Sequence, residues 1–93
     1  MKNITIIGIG LIGSSIARDI REKNNDVIIN IVDNSNTVLE KSKKLNLGNN
    51  YFEEISTFID KTEIIFICTP ISAYRSLFEK LNKFKLSKET IIT

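Results

Sequence analysis

Ile4-Thr5-Ile6-Ile7-Gly8-Ile9-Gly10-Leu11-Ile12-Gly13-Ser14-Ser15 joins two kinds of structure at a run of glycines. The segment Ile4–Ile9 is β-branched and nearly continuous, as a strand buried on both faces requires. From Leu11 to Glu22 the pattern changes. Leu11, Ile12, Ser15, Ile16 and Ile20 fall along one side of a helix and Arg18, Asp19, Arg21 and Glu22 along another. The glycines between them form a GxGxxG pattern. Gly8 permits a tight turn, Gly10 lets backbone approach a pyrophosphate, and Gly13 allows close packing of helix on strand. The N–H groups at the helix start, with the dipole behind them, make an anion site. Glycines can also merely form a turn; here the strand before them and the helix after them supply the context that a bare motif lacks.

Three more apolar runs follow, at Val27–Val32, Ile64–Cys68 and Thr90–Thr93. Helical spacing recurs between them. Asn36 to Leu45 has a cap at Ser35 or Asn36, a basic last part (Lys41, Lys43, Lys44) that suits the helix dipole, and Gly48 as a stop. Ser72 to Leu81 places Ala73, Leu77, Phe78 and Leu81 on one side. The irregular piece Tyr51 to Phe58 has room for a short third strand and one helical turn around Ser56–Ile59. Strands alternating with helices predict βαβ units with right-handed crossovers. The expected product is an α/β fold: a doubly wound, mostly parallel sheet in the order 3-2-1-4-5.

Asp33 stands 20 residues beyond Gly13, at the end of the second run. A carboxylate there accepts from the hydroxyls of an adenosine ribose. Asp33-Asn34-Ser35-Asn36 is also ordinary turn and cap chemistry, but the glycine motif favours the ribose reading. NADP would bring a phosphate against this carboxylate, and two like charges about 4 Å apart repel by about 1 kcal/mol even in water. No arginine stands among Asn34, Ser35 and Asn36, so NAD is the expected cofactor. Cys68-Thr69-Pro70 closes the fourth strand on the side where such sheets bind ligands. As plain structure, Cys68 is a small core residue and Pro70 the start of the next helix. Tyr74, Phe78 and Phe84 read as packing, the lysine group as a solvated helix face, and Arg75 has no evident partner.

Composition narrows the function further. A chain of 93 residues makes one domain and buries about 60–65% of its unfolded surface. The chain holds no histidine, which removes His triads, His metal ligands and any His base. A single cysteine supports neither a disulfide nor a thiolate metal site, and suits a reducing cytoplasm. A net charge of +2 points to neither nucleic acid nor membrane. The stretch from Lys2 to Ala17 is glycine-broken and has one leading positive charge, unlike a signal peptide, and it is too short to span a bilayer.

The segment from Ile6 to Ser15, with its Gly-Leu-Ile-Gly followed by a small residue and a serine, resembles the opening of prephenate and arogenate dehydrogenases. The likeness continues through Asp33, through Ile64 to Thr69-Pro70-Ile71, and to Ile91-Ile92-Thr93. It implies a Rossmann-type dinucleotide-binding domain over residues 1–93. It further implies oxidative decarboxylation of prephenate, with hydride transfer to NAD, on the route to tyrosine. By this resemblance the N–H groups near Leu11 and Ile12 hold the pyrophosphate, Asp33 holds the adenine ribose, and Thr69, Pro70 and Ile71 line the nicotinamide side. The expected cofactor-binding set also takes in Gly8, Ile9, Gly10, Gly13, Asn34, Ser35 and Cys68. In that family a catalytic histidine and a helical dimerisation domain follow the fifth strand. The expectation is therefore a cofactor-binding piece with no catalytic residue and no metal, inactive alone. It would be a monomer or associate through an exposed Ile91-Ile92 edge, while the parent enzyme is a homodimer that takes the small-molecule substrate. Two alternatives share the first half: a hydroxyacid, pyrroline-carboxylate or ketopantoate reductase, and a regulatory NAD-sensing domain like those gating potassium channels.

Overall fold

A computed structural model gives the fold and describes residues 2–24, 26–84, 91 and 92, the side chains of Ile71, Ile91 and Ile92 excepted. The strands are β1 (Asn3–Ile7), β2 (Ile28–Val32), β3 (Asn50–Phe52), β4 (Ile64–Ile67) and β5 (Ile91–Ile92). The α-helices are α1 (Leu11–Lys23), α2 (Asn36–Lys44) and α3 (Tyr74–Leu81). The five strands form one sheet in the order β3-β2-β1-β4-β5, every pairing parallel. The expected topology is therefore met. Thr90 and Thr93, expected in the fifth strand, lie outside the described residues.

Period-two alternation divides the core between two faces. Ile4, Ile6, Ile29 and Ile31 face α1 and α2, where they pack with Ala17, Leu39 and Leu47. Ile7, Val32 and Ile65 face the other way, against Leu77 and Leu81 of α3 and Ile59 of the 3-10 turn Thr57–Lys61. Each fully buried isoleucine contributes about 1.5–3 kcal/mol relative to exposure. The second face is only half apolar. Toward the amino ends of the strands it carries Thr5, Asn30 and Asn50, which share one row by register. Asn50 Nδ2 donates to Asn30 Oδ1 at 2.9 Å, Asn30 Nδ2 donates to Asn3 Oδ1 at 2.6 Å, and the Thr5 and Thr62 hydroxyls meet at 2.7 Å. Paired in this way, buried polar groups escape the cost of desolvation.

The elements differ from expectation mainly at their ends. The first strand closes at Ile7 because Gly8 turns away at φ +85°. The predicted stop at Gly48 is a correction. The left-handed position after α2 is Asn46, φ 54°, whose N–H donates to Lys43 O. Gly48 has a packing role instead: a Cβ there would stand 2.8 Å from Ile31 Cδ1 and 3.0 Å from Ile29 O. Ser35 is the cap of α2, its Oγ accepting from Val38 N–H at 3.4 Å. The last predicted helix begins as a 3-10 turn, Ile71–Ala73, before α3 starts at Tyr74.

Candidate functional site

The hydrogen-bond ladder runs one residue past the strand ends and aligns the rim of the sheet. Gly8 N–H donates to Val32 O at 2.7 Å, Asp33 N–H to Phe52 O at 3.0 Å, and Cys68 N–H to Ile7 O at 2.8 Å. Gly8, Asp33 and Cys68 thus stand side by side at the carboxyl end. The strand order reverses between β1 and β4, and in doubly wound sheets a ligand crevice opens there. A cleft of about 470 Å³ occupies this rim, within the range of small-molecule sites.

The glycines have three distinct jobs. At Gly8 a Cβ would lie 2.7 Å from Thr69 Cγ2, and the positive φ already disfavours a side chain. At Gly13, buried in the first turn of α1, a Cβ would meet the Gly8 carbonyl at 2.6 Å. Gly10 is the opposite case: its absent Cβ has nothing within 4 Å and faces open space on the cleft. The first turn of α1 contains no acidic residue, which leaves its positive dipole end uncompensated.

Asp33 ties the rim together. Its Oδ2 accepts from Ile9 N–H at 3.1 Å and its Oδ1 from Ser35 N–H at 2.9 Å. Hydrogen bonds to a charged acceptor are shorter and stronger than those between neutral groups. The carboxylate is thereby held between the glycine turn and the start of α2, with lone pairs left over for a ligand.

The cleft brings together Gly8, Gly10, Asp33, Asn34, Cys68, Thr69 and Pro70 from the predicted set. The others stand apart from its lining. Ile9 is buried in the core, Gly13 is packed under the turn, and Ser35 is spent on the cap. Leu11 and Ile12 are 88% and 69% exposed at the α1 start, so their side chains touch little. Ile71 opens the 3-10 turn after Pro70. Thr69 Oγ1 is buried and has no hydrogen-bond partner, alone in this among the described side chains. Burial raises the Cys68 thiol above its ordinary pKa of 9.0, which disfavours the thiolate.

Sequence reasoning missed the far wall. Glu53, Glu54 and Ile55, after β3, and Ser76, Leu77 and Lys80 of α3 also line the cleft. The one available signal was the strand order itself, which sets the end of β3 beside Asp33. Among the described residues no group of His, Cys, Asp and Glu could hold a metal ion. No helix among them is long and apolar enough to cross a membrane.

Comparison with known proteins agrees with this geometry. Residues 3–93 match the family described as NADP oxidoreductase coenzyme F420-dependent. A stretch of 72 residues, 77% of the chain, is 38% identical to cyclohexadienyl dehydrogenase of Zymomonas mobilis. The chain spans about a quarter of that relative, 25% of its length. Prephenate dehydrogenase from A. aeolicus, solved with hydroxyphenyl propionate and NAD+, superposes with a TM-score of 0.87 at 22% identity, over 99% of this chain and 32% of that one. Synechocystis arogenate dehydrogenase gives 0.80 at 30% identity, over 97% of this chain and 31% of that one.

Proposed function

The chain belongs to the family of NADP oxidoreductases described as coenzyme F420-dependent, and on that premise we propose that it is the dinucleotide-binding part of a prephenate dehydrogenase-like oxidoreductase that uses NAD. One observation carries the reading. An open glycine turn, a carboxylate anchored beside it and an unpartnered buried hydroxyl converge on a single cleft.

The residues present fit a dinucleotide. Gly10 offers clear space beside the free N–H groups of the α1 start, where a pyrophosphate would sit. Asp33 stands directly beside the glycine turn, bonded to Ile9 N–H, for the ribose hydroxyls. Thr69 Oγ1, which lacks a partner, is placed to donate to a polar group in the cleft. When bound, NAD would supply the hydride acceptor. The chain's own residues bind and orient it, and the chain's lack of histidine removes that residue as a base. Substrate, proton transfer and dimerisation belong in this reading to the remaining length of the dehydrogenase.

The family description carries NADP, whereas the carboxylate at Asp33 argues for NAD by charge. Calorimetric titration with NAD tests the proposal. Saturable one-to-one binding is expected, weakened on the order of tenfold by Gly10→Ala, whose methyl would enter the pyrophosphate space. Absence of binding would contradict it. Prephenate-dependent NADH formation by the chain alone would overturn the division of labour.

A further inference from the structure

We propose that Glu53 and Glu54 are cofactor-specificity residues, which raise the negative potential at the ribose end of the cleft and select against a 2′-phosphate independently of Asp33. The proposal rests on the nucleotide reading above and adds to it a second source of discrimination.

The backbone places them there. Phe52 pairs with Val32 in register, and Asp33 N–H donates to Phe52 O, so the chain leaves β3 at the level where Asp33 leaves β2. Neighbouring strands lie about 4.8 Å apart, which puts Glu53 one strand spacing from Asp33. Both glutamates line the same cleft as Asp33 and Asn34. Both are exposed, and no hydrogen bond or ion pair is recorded for either among the described residues. Among the described residues three carboxylates thus line the cleft against one cation, Lys80, which comes from α3 on the other wall. No arginine lines it, although sites for NADP usually supply one. A 2′-phosphate carries between one and two negative charges and would meet this field. NAD, with a neutral hydroxyl at that position, meets it only through its more distant pyrophosphate.

The roles of the three acids differ. Asp33 holds two backbone N–H groups, so replacing it disturbs the turn as well as the charge. Glu53 and Glu54 hold nothing among the described residues, so replacing them changes charge with no bond lost there.

The test is calorimetric titration of the chain with NAD and with NADP at low and at high salt. The chain is compared with Glu53→Gln/Glu54→Gln and with the charge reversal Glu54→Lys, folding being checked by circular dichroism. At low salt each carboxylate removed should favour NADP over NAD by about two- to fourfold, and the double variant by about five- to tenfold. The change should shrink at high salt, because the Debye length falls to about 3 Å at 1 M and exposed charges further apart than that are largely screened. Glu54→Lys should move the ratio further in the same direction. NAD binding with an unmoved NADP-to-NAD ratio in both variants would overturn this inference and leave the nucleotide reading standing. A wild-type chain that prefers NADP would overturn it too, in favour of Lys80 as a phosphate partner. Failure of the wild-type chain to bind either nucleotide would remove the nucleotide reading, and this inference with it.

Discussion

The two walls of the cleft are built on opposite plans. The first wall, from β1 through the glycine turn to Asp33, is locked by its own backbone. Gly8, Gly13 and the Asp33 carboxylate leave no room for a side chain and no slack in the hydrogen bonds. The second wall, from Glu53 and Ile55 across to Thr69 and Lys80, is made of side chains that satisfy little within the protein. Close packing makes the first wall a structural element whose residues the fold itself requires. The second wall is free to serve a ligand, because the fold does not depend on its polar groups.

Substitution should separate them. Gly8→Ala strikes the first wall hardest. The positive φ costs about 1–2 kcal/mol and the overpacked methyl about 1–3 kcal/mol more, so thermal or urea unfolding should show a loss of about 2–5 kcal/mol. Gly10→Ala, two residues on, should cost less than Gly8→Ala by the overpacking share, about 1–3 kcal/mol, because its methyl meets no protein atom. Equal losses at the two glycines would erase the distinction. Asp33→Ala should cost about 1–3 kcal/mol, since it strips the acceptor from the Ile9 and Ser35 N–H groups. It should also weaken NAD more than NADP and so narrow the gap between them.

Changes in the second wall should leave folding intact. Thr69→Val removes a hydroxyl that the protein leaves unpaired, so stability should hold or rise by up to about 1 kcal/mol while nucleotide affinity falls several-fold. A clear loss of stability would mean that the hydroxyl is engaged within the fold. The smallest effect concerns Cys68. Its raised pKa favours the neutral thiol in the folded state, so this contribution is complete below pH 9.0 and is lost as pH climbs toward the folded value. Alkylation at neutral pH should be slower than for an unhindered thiol and slower again with nucleotide bound. A rate equal to that of a free thiol would contradict the burial.

This contrast also explains what the sequence made legible. The first wall is local: strand, turn and helix are contiguous from Asn3 to Lys23, and the backbone demands of Gly8 and Gly13 leave a fixed spacing behind them. The sheet order was legible because Ile4–Ile7, Ile28–Val32 and Ile64–Ile67 are all apolar enough for central parallel strands. The second wall has no such signature. Glu53 and Glu54 reach the cleft through sheet order, and Lys80 reaches it through the direction of α3, so neither has a spacing to read. Asn30 was hidden for the reverse reason. One asparagine inside an apolar strand gives no hint that Asn3, Asn50 and Thr5 will complete its hydrogen bonds from neighbouring strands.

A nitrogen-15 correlation spectrum recorded during titration with NAD tests the siting of the cofactor most directly. The largest shifts should fall on the amides of Gly8, Gly10, Leu11, Ile12, Asp33 and Thr69, around the carboxyl rim of the sheet. A second recess of about 380 Å³ lies at the amino half of the sheet, on the face that carries Asn30, lined by Asn3, Asn50 and Lys61. Shifts gathered there, or a saturated spectrum with an unmoved glycine turn, would contradict it.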